Sequence, residues 1–339
     1  MDRTPAEDGF YMPPDWGPHE RCWMAWPCRI DAWGEAMDQA CLATAALARA
    51  IAEYEPVNML VASELIPIAR LQMGTLVSIW EAELDDSWSR DIAPNFLIDG
   101  QGGLAGAVFD FNAWGNKHRD YGKDAKVGEW MLGELDLPCY QVPMVLEGGA
   151  IHVDGSGTLI TTESVAFNSD RNPTLDKRQI EERLAMYFGI RKVIWLPDGL
   201  VGDRADGQVN KVARFIAPGR VMCAVAAHHG DPNRGILSDN LAQLSQERDA
   251  LGRPLELVEL PLPSPLQQPD GRFLVRSYLD FYIANSAVYV PAFDDAGDEE
   301  AAKLIAAAFP GREVVQLDMA DIAMRGGAIH SLTQQQPKV

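Results

Sequence analysis

Two carboxylates in separate polar loops have the chemistry to hold a positively charged ligand between them. Asp91 ends one loop, and Glu147 begins another directly before a glycine pair, where the backbone can approach a ligand closely. If the loops meet, these side chains form a pocket for a planar, bidentate cation such as a guanidinium, with Trp88 as an aromatic wall. The competing interpretation is that such clusters of aspartate and glycine only turn or cap the chain.

The pentapeptide Gly-Gly-Ala-Ile-His occurs twice, at 148–152 and at 326–330, which indicates one supersecondary unit used more than once. Equivalent loops of a repeat array fall on one face, so we expect four polar loops to meet there. These loops are 85–91, 147–149, 206–210 and 326–331. Because side chains alternate along a strand, His330 should point away from Ser331, which argues against His330 as its base. The same objection applies to His152.

Helical and strand patterns alternate along the chain. Helices are predicted at about 34–54, 174–188, 239–251 and 298–309. Strands are predicted at 57–61, 76–80, 104–109, 158–162, 192–196, 212–217, 221–226, 256–260, 287–291 and 313–317. Closing strands of a strand, helix, strand unit recur at Ile194, Val258 and Val315, a period of about sixty residues.

This period favours a radial α/β array of about five or six units. The alternative, an open doubly wound sheet, should show a glycine-rich phosphate loop after an early strand, and the sequence has none. No low-complexity linker divides the chain. We therefore expect one domain over residues 1–339.

Composition excludes several classes of function. The 339 residues are 47% hydrophobic, which predicts a well-buried core, and the formal net charge of -20 disfavours nucleic acid and anionic membranes as partners. The N-terminus lacks the pattern of a signal peptide, and no apolar run reaches membrane-spanning length, so we expect a cytoplasmic protein. Five scattered cysteines without Cys-x-x-Cys spacing predict neither disulfides nor a metal site, and no cofactor is expected.

Nine motifs, taken in order, resemble the agmatine deiminase and bacterial peptidyl-arginine deiminase family, within the guanidino-group-modifying pentein superfamily. The motifs are MPPDWGPHERCWMAWP at 12–27, DDSWSRDIAP at 85–94, DFNAWG at 110–115, LEGGAIHVDGSGTLITTE at 146–163, DRNPTLDKRQIEERL at 170–184, VIWLP at 193–197, DGQVNKVARFIAPG at 206–219, FPGREVV at 309–315 and GGAIHSLTQQQP at 326–337. The resemblance covers almost the whole chain and implies a fivefold pseudo-symmetric α/β propeller, the pentein fold, with the site at its axis.

The resemblance also implies a reaction. In this family a cysteine thiolate attacks the guanidinium carbon, ammonia leaves, and water hydrolyses the covalent intermediate. A histidine moves protons and three carboxylates hold the substrate. With agmatine the products are N-carbamoylputrescine and ammonia, which belongs to putrescine biosynthesis and polyamine metabolism.

Carried over residue by residue, the family's first two carboxylates fall on Asp91 and Glu147. The histidine position holds Gln208, the third carboxylate position holds Asn210, and the nucleophilic cysteine position holds Ser331. The predicted substrate-binding set is Asp91, Asn210, Trp88, Asp85 and Gly327. All three replacements are close in shape to the residues they replace but remove charge or reactivity.

A serine hydroxyl ionises far less readily than a thiol, and an amide cannot act as a base, so we expect deimination to be impaired or lost. Natural drift into a binding role, redirected chemistry and deliberate inactivation of an active parent all fit this pattern. Three functions stay open: a deiminase of agmatine or a related alkylguanidine, a guanidino-binding or regulatory pseudoenzyme, and a purely structural propeller. The predicted partner is a small guanidino cation, and a homo-oligomer is left open.

Overall fold

The computed structural model describes residues 3–339, which form a mixed α/β structure of short strands and helices. Residues 1 and 2, at the start of the predicted domain 1–339, lie outside the described residues. The strands are β1 His19–Ala25, β2 Val57–Val61, β3 Ser78–Glu81, β4 Asn95–Ile98, β5 Leu104–Asp110, β6 Cys139–Val145, β7 His152–Val153, β8 Thr158–Thr162, β9 Lys192–Leu196, β10 Ala213–Ala217, β11 Arg220–Val225, β12 Glu256–Pro261, β13 Leu266–Gln267, β14 Phe273–Leu274, β15 Tyr282–Ile283, β16 Ala287–Ala292, β17 Glu313–Asp318 and β18 Thr333–Pro337.

Helices connect these strands. The α-helices are α1 Ile30–Trp33, α2 Met37–Ile51, α3 Ile66–Met73, α4 Ser89–Ile92, α5 Ala113–Asn116, α6 Asp124–Glu134, α7 Glu163–Ala166, α8 Lys177–Phe188, α9 Arg234–Gln246, α10 Asp298–Ala308 and α11 Ala320–Ala323. Short 3-10 turns lie at Pro5–Asp8, Gly34–Ala36, Ser63–Leu65, Gly148–Ala150 and Val209–Lys211.

Four three-stranded sheets share one pattern, in which the first strand pairs antiparallel with the second and the second pairs parallel with the third. They are β4-β5-β6, β7-β8-β9, β10-β11-β12 and β15-β16-β17. A parallel pair needs a crossover connection, and the longer helices supply it in each unit. In the remaining large sheet the last strand, β18, pairs antiparallel with β1, and β2 and β3 follow in parallel. The first strand of each sheet is called its inner strand below.

Most predicted elements match the structure within a few residues, and the strands at 57–61, 158–162 and 192–196 match it fully. The predicted helix 239–251 was displaced, because α9 runs over Arg234–Gln246 and Glu247 is already extended. Leu251, which ended the predicted pattern, is exposed and does not belong to the buried face of that helix. The polar strand β18 was missed, because three consecutive glutamines do not alternate with apolar residues.

A buried carboxylate near the N-terminus connects several inner strands. Asp15 Oδ2 accepts hydrogen bonds from His152 Nε2 at 3.1 Å and from Arg214 Nη2 at 2.8 Å. Asp15 Oδ1 accepts from Gln335 Nε2 at 2.8 Å. Burial opposes the charge of Asp15, but His152, His330 and Arg214 together hold its pKa well below the usual range. The network therefore joins residues of β7, β10 and β18 through one ionised group.

Replacing the cation of this network tests its contribution to stability. Arg214→Leu leaves the Asp15 carboxylate buried without its cation, and we expect the free energy of unfolding to fall by about 3–5 kcal/mol. Urea denaturation at pH 7 measures the change. The control Arg220→Leu breaks the exposed pair with Glu256 and should cost about 0–1 kcal/mol. Equal losses in the two variants would contradict the role assigned to Asp15. Adding Asp15→Asn to Arg214→Leu removes the unpaired charge and should recover part of the stability, and no recovery would also contradict this role.

Candidate functional site

A cavity of about 590 Å³ lies where the polar loops meet. Of the residues predicted for the site, Trp88, Asp91, Gln208, Gly327 and Ser331 line it. Gly327 has to be glycine in this arrangement, because an added Cβ would lie 2.4 Å from Trp88 Cζ3 and 2.8 Å from Ser331 Cβ. Three of the four loops thus line one pocket, with Trp88 packed against the glycine-rich turn, whereas no residue of 147–149 is part of its lining.

Asp91 is held in place by three hydrogen bonds. Its Oδ1 accepts from Gly149 N at 2.9 Å, and its Oδ2 accepts from Trp114 Nε1 at 2.8 Å and from Gln208 Nε2 at 3.1 Å. These donors come from three different parts of the chain, so the carboxylate is fixed in direction at the wall of the cavity. Trp114, which the motif DFNAWG contains, was not predicted as a site residue.

Glu147 lies behind Asp91 and is fully buried. Its Oε1 accepts from Arg171 Nε at 2.8 Å, whereas Oε2 has no hydrogen-bond partner within the described residues. Burial raises the pKa of Glu147 to about 7, because lost hydration outweighs the attraction of Arg171, and the charge of Asp91 adds to the rise. Glu147 is therefore a group that titrates near neutral pH beside a second carboxylate.

Ser331 binds a carboxylate that sequence analysis missed. Its backbone N donates to Asp280 Oδ1 at 3.0 Å, and its Oγ donates to Asp280 Oδ2 at 3.1 Å. Asp280 is buried, which raises its pKa, while Lys211 opposes the rise. Asp280 lies just before β15, and the other site residues also precede inner strands. The repeat could therefore have indicated Asp280, because a site residue had been predicted before the inner strand of every large sheet except the sheet that begins with β15.

Lys211 is a further cation at the site that was not predicted. It lines the cavity, is almost fully buried, and its Nζ donates to Asp203 Oδ1 at 2.6 Å. Burial would lower its pKa, but the charge of Asp203 holds the pKa of Lys211 above the ordinary value. The cavity thus has a fixed positive charge next to Gln208 and Asn210.

Two predicted substrate-binding residues are directed elsewhere. Asp85 is not among the residues that line the cavity, and its Oδ2 accepts from Lys123 N at 2.8 Å and from Asp124 N at 3.4 Å, at the start of α6. This is the capping role that clusters of aspartate often take. Asn210 is buried but is not among the residues that line the cavity, and its Nδ2 donates to His330 Nδ1 at 3.1 Å.

The histidines do not assist Ser331. His330 and Ser331 lie in a turn before β18 and not in a strand, so the argument from alternation did not apply. They are nevertheless separated: His330 Nε2 lies 3.4 Å from Asp15 Oδ2, whereas Ser331 faces the cavity. Burial holds the pKa of His330 well below the usual value. His152 binds Asp15, and His118, which lines the cavity, forms no hydrogen bond with Ser331.

Other reactive groups lie away from the cavity. None of the cysteines, all of them within residues 3–339, lines it. Burial raises the pKa of Cys41 to about 11 and that of Cys223 to about 12, which disfavours their thiolates. Among the described residues, no three His, Cys, Asp or Glu side chains are grouped to hold a metal ion. The same part of the chain contains no helix that is both long and apolar enough to span a membrane.

Comparison with known proteins agrees with this geometry. A family model described as Porphyromonas-type peptidyl-arginine deiminase matches residues 11–337. The chain is 39% identical to the agmatine deiminase of Stutzerimonas stutzeri, with 99% of this chain and 98% of the relative covered. It is 37% identical to the agmatine deiminase of Medicago truncatula, with 100% and 99% covered.

Solved structures of agmatine deiminases are also similar to this chain. The agmatine deiminase of Enterococcus faecalis catalysing its reaction superposes with a TM-score of 0.96 at 32% identity, covering 100% of this chain and 98% of that chain. A Cys-to-Ser variant of C. jejuni agmatine deiminase with substrate bound superposes with a TM-score of 0.88 at 26% identity, covering 97% and 96%. The DDAH structure from Pseudomonas aeruginosa, at 13% identity and a TM-score of 0.52, shares the fold alone. The chain therefore belongs to the agmatine deiminase and Porphyromonas-type peptidyl-arginine deiminase family.

Proposed function

We propose that this chain binds a small alkylguanidinium ligand in the cavity and that deimination of agmatine by the family route is lost or strongly impaired. The observation that carries the proposal is the environment of Ser331, whose hydroxyl donates to Asp280 and has no imidazole partner within residues 3–339. Gln208, at the family's histidine position, uses its amide to bind Asp91. A hydroxyl without an imidazole base is a poor nucleophile, and no thiol lines the cavity among the described residues.

Cation binding is supported by the acidic groups behind the cavity wall. Asp91 lines the cavity, Glu147 is buried behind it, and Asp280 supplies a second buried carboxylate beside Ser331, whereas Asn210 is neutral. Converging carboxylates raise one another's pKa, so a cation placed between them relieves the repulsion. Arg171 compensates part of the charge of Glu147, but Glu147 Oε2 has no hydrogen-bond partner within residues 3–339 and the charge of Asp91 still raises its pKa, which favours a ligand-binding role over a purely structural one.

The roles that we propose follow from these contacts. Asp91, which lines the cavity, holds the guanidinium nitrogens, Glu147 adds a second negative charge behind it, and Trp88 and Gly327 shape the wall of the pocket. Ser331 and Gln208 occupy the positions of the nucleophile and the proton carrier without their reactivity. Asn210 orients His330 and does not touch the ligand directly. The Cys-to-Ser variant of the C. jejuni relative, solved with substrate bound, supports ligand binding by a chain of this family without one of its thiols.

We also propose that the five larger sheets close around a central axis as a fivefold pseudo-symmetric propeller forming one domain. The shared strand pattern of four sheets and the pairing of β18 with β1 support this arrangement. A cytoplasmic location fits the free cysteines, since reducing compartments preserve thiols.

Restoring the family residues tests the loss of chemistry. With agmatine, the unmodified chain should release ammonia no faster than a buffer control. The triple variant Ser331→Cys, Gln208→His, Asn210→Asp regains a thiol and an imidazole, but Asp280 lies against the new thiol and should raise its pKa. Adding Asp280→Asn should therefore increase ammonia release further, by about 10²–10⁴-fold over the unmodified chain. A coupled ammonia assay measures all three proteins.

Two results would contradict this account. Ammonia release by the unmodified chain well above the buffer control would show that Ser331 suffices for turnover. Absence of heat or thermal shift with agmatine, arginine and n-pentylguanidine would exclude guanidinium binding, provided that circular dichroism shows a folded protein.

The pH dependence of binding tests the role of Glu147. The raised pKa of Glu147 means that its ionisation is disfavoured in the folded protein. Its contribution to the free energy of unfolding is therefore fully present below about pH 4.5 and is lost as the pH rises through about 7. A guanidinium needs the ionised carboxylate and stays charged throughout, so affinity should rise up to about tenfold per pH unit below 7 and level off above 8.

Calorimetry with n-pentylguanidine between pH 5.5 and about 8.5 gives this profile. Glu147→Gln should bind more weakly and without the pH dependence, whereas the control Glu163→Gln removes an exposed carboxylate that pairs with Lys177 and should keep the profile. A flat profile in the unmodified chain would remove Glu147 from the proposed ligand-binding set.

A further inference from the structure

Three arginines lie together on the cavity lining, and we propose that they bind the anionic end of the ligand, so that the preferred ligand is a guanidino acid. They are Arg204, Arg272 and Arg325. This inference rests on the proposed guanidinium site and adds the chemistry of the opposite end of the ligand. A guanidino acid carries a guanidinium at one end and a carboxylate at the other, whereas agmatine carries an ammonium in place of the carboxylate.

The three arginines come from separate parts of the chain. Arg204 belongs to the loop that follows β9, Arg272 directly precedes β14, and Arg325 follows α11. Burial lowers the pKa of Arg204, the positive charges of Arg272 and Arg325 lower it further, and the charge of Asp270 opposes them only in part. The three guanidinium groups are therefore close enough to repel one another, and an anion between them would relieve this repulsion.

Nearby carboxylates compensate only part of the positive charge of the three arginines. Arg272 pairs with Asp270 at 2.6 Å, but its side chain is 67% exposed. Within residues 3–339, neither Arg204 nor Arg325 has a carboxylate oxygen within 4.0 Å. Arg325 Nη2 donates to Trp33 O at 2.8 Å, while its buried Nε has no partner among the described residues.

The acidic residues of the lining are mostly occupied by other cations. Asp203 binds Lys211 at 2.6 Å, and Asp86 lies 3.4 Å from Arg29. Asp31 is the exposed carboxylate that remains near this region, so Asp270 and Asp31 supply two negative charges against the three positive charges of the arginines. The net charge of the whole chain is -20, so this part of the cavity differs from the rest of the molecule in carrying an excess of positive charge.

This charge distribution separates two otherwise similar ligands. The carboxylates Asp91 and Glu147 favour a guanidinium at the inner end, and the arginines favour an anion at the outer end. Agmatine would place its ammonium among the arginines, where like charges repel. A guanidino acid of the same chain length is complementary to the cavity at both ends, and this complementarity selects among ligands more than it increases affinity overall.

Calorimetry with matched probes tests this inference. 4-Guanidinobutyrate, agmatine and n-pentylguanidine have similar length and differ at the outer end, and butyrate lacks the guanidinium. We expect 4-guanidinobutyrate to bind at least tenfold more tightly than agmatine at low salt. Each of Arg204→Gln, Arg272→Gln and Arg325→Gln should reduce this preference several-fold, and 0.5 M NaCl should also reduce it because the arginines are accessible to solvent. Arg178→Gln, which removes an exposed charge from α8, should leave the preference unchanged.

The outcomes distinguish the two proposals. Equal or tighter binding of agmatine, with n-pentylguanidine also bound, overturns the inference and leaves the proposed guanidinium site in place. Binding of 4-guanidinobutyrate and butyrate with equal affinity, insensitive to Asp91→Asn, overturns the guanidinium site and with it the guanidino acid as ligand. A preference for 4-guanidinobutyrate that survives all three arginine substitutions also overturns the inference, because the selectivity would then come from another group.

Discussion

The ionised carboxylate of Asp15 is the constraint on which the arrangement of the inner strands depends. It is almost fully buried, and it binds Arg214, His152 and Gln335 from three different sheets. A buried charge persists only when its partners are placed to satisfy it, so displacement of any one sheet would expose an expensive, unpaired group. Because the loops that form the cavity lead directly into these inner strands, the same network fixes the positions from which the site residues project.

The charged groups at the site include Asp91, Glu147, Asp280 and Lys211. Asn210 is neutral, whereas the buried Asp280 contacts Ser331 and Lys211 lies near it at the cavity. Glu147 titrates near neutral pH, and its ionisation weakens folding while strengthening the attraction for a cation. A site of this kind stores unfavourable electrostatic energy in the empty state, and a ligand of matching charge releases it.

The sequence predicted the elements with strong periodicity and the polar loops, because both depend on local residue types. It did not predict β18, whose glutamines are buried through hydrogen bonds such as the one from Trp23 to Gln336. Nor could local reasoning separate Asp85, which caps α6, from Asp91, which faces the cavity, since both follow the same turn chemistry. Asp280 stands in a buried aromatic segment, where only its place in the repeat indicated a role at the site.

Pairing of β18 with β1 joins segments from opposite ends of the sequence. Ser331 lies two positions before that strand, so one wall of the cavity exists only after this long-range pairing has formed. Contacts of such large sequence separation form late, because loop-closure entropy opposes them until the rest of the structure is in place. Under the proposed function, ligand binding therefore depends on docking of the terminal strand: a chain with every other sheet formed, but β18 undocked, would be nearly native in secondary structure and would lack the binding site.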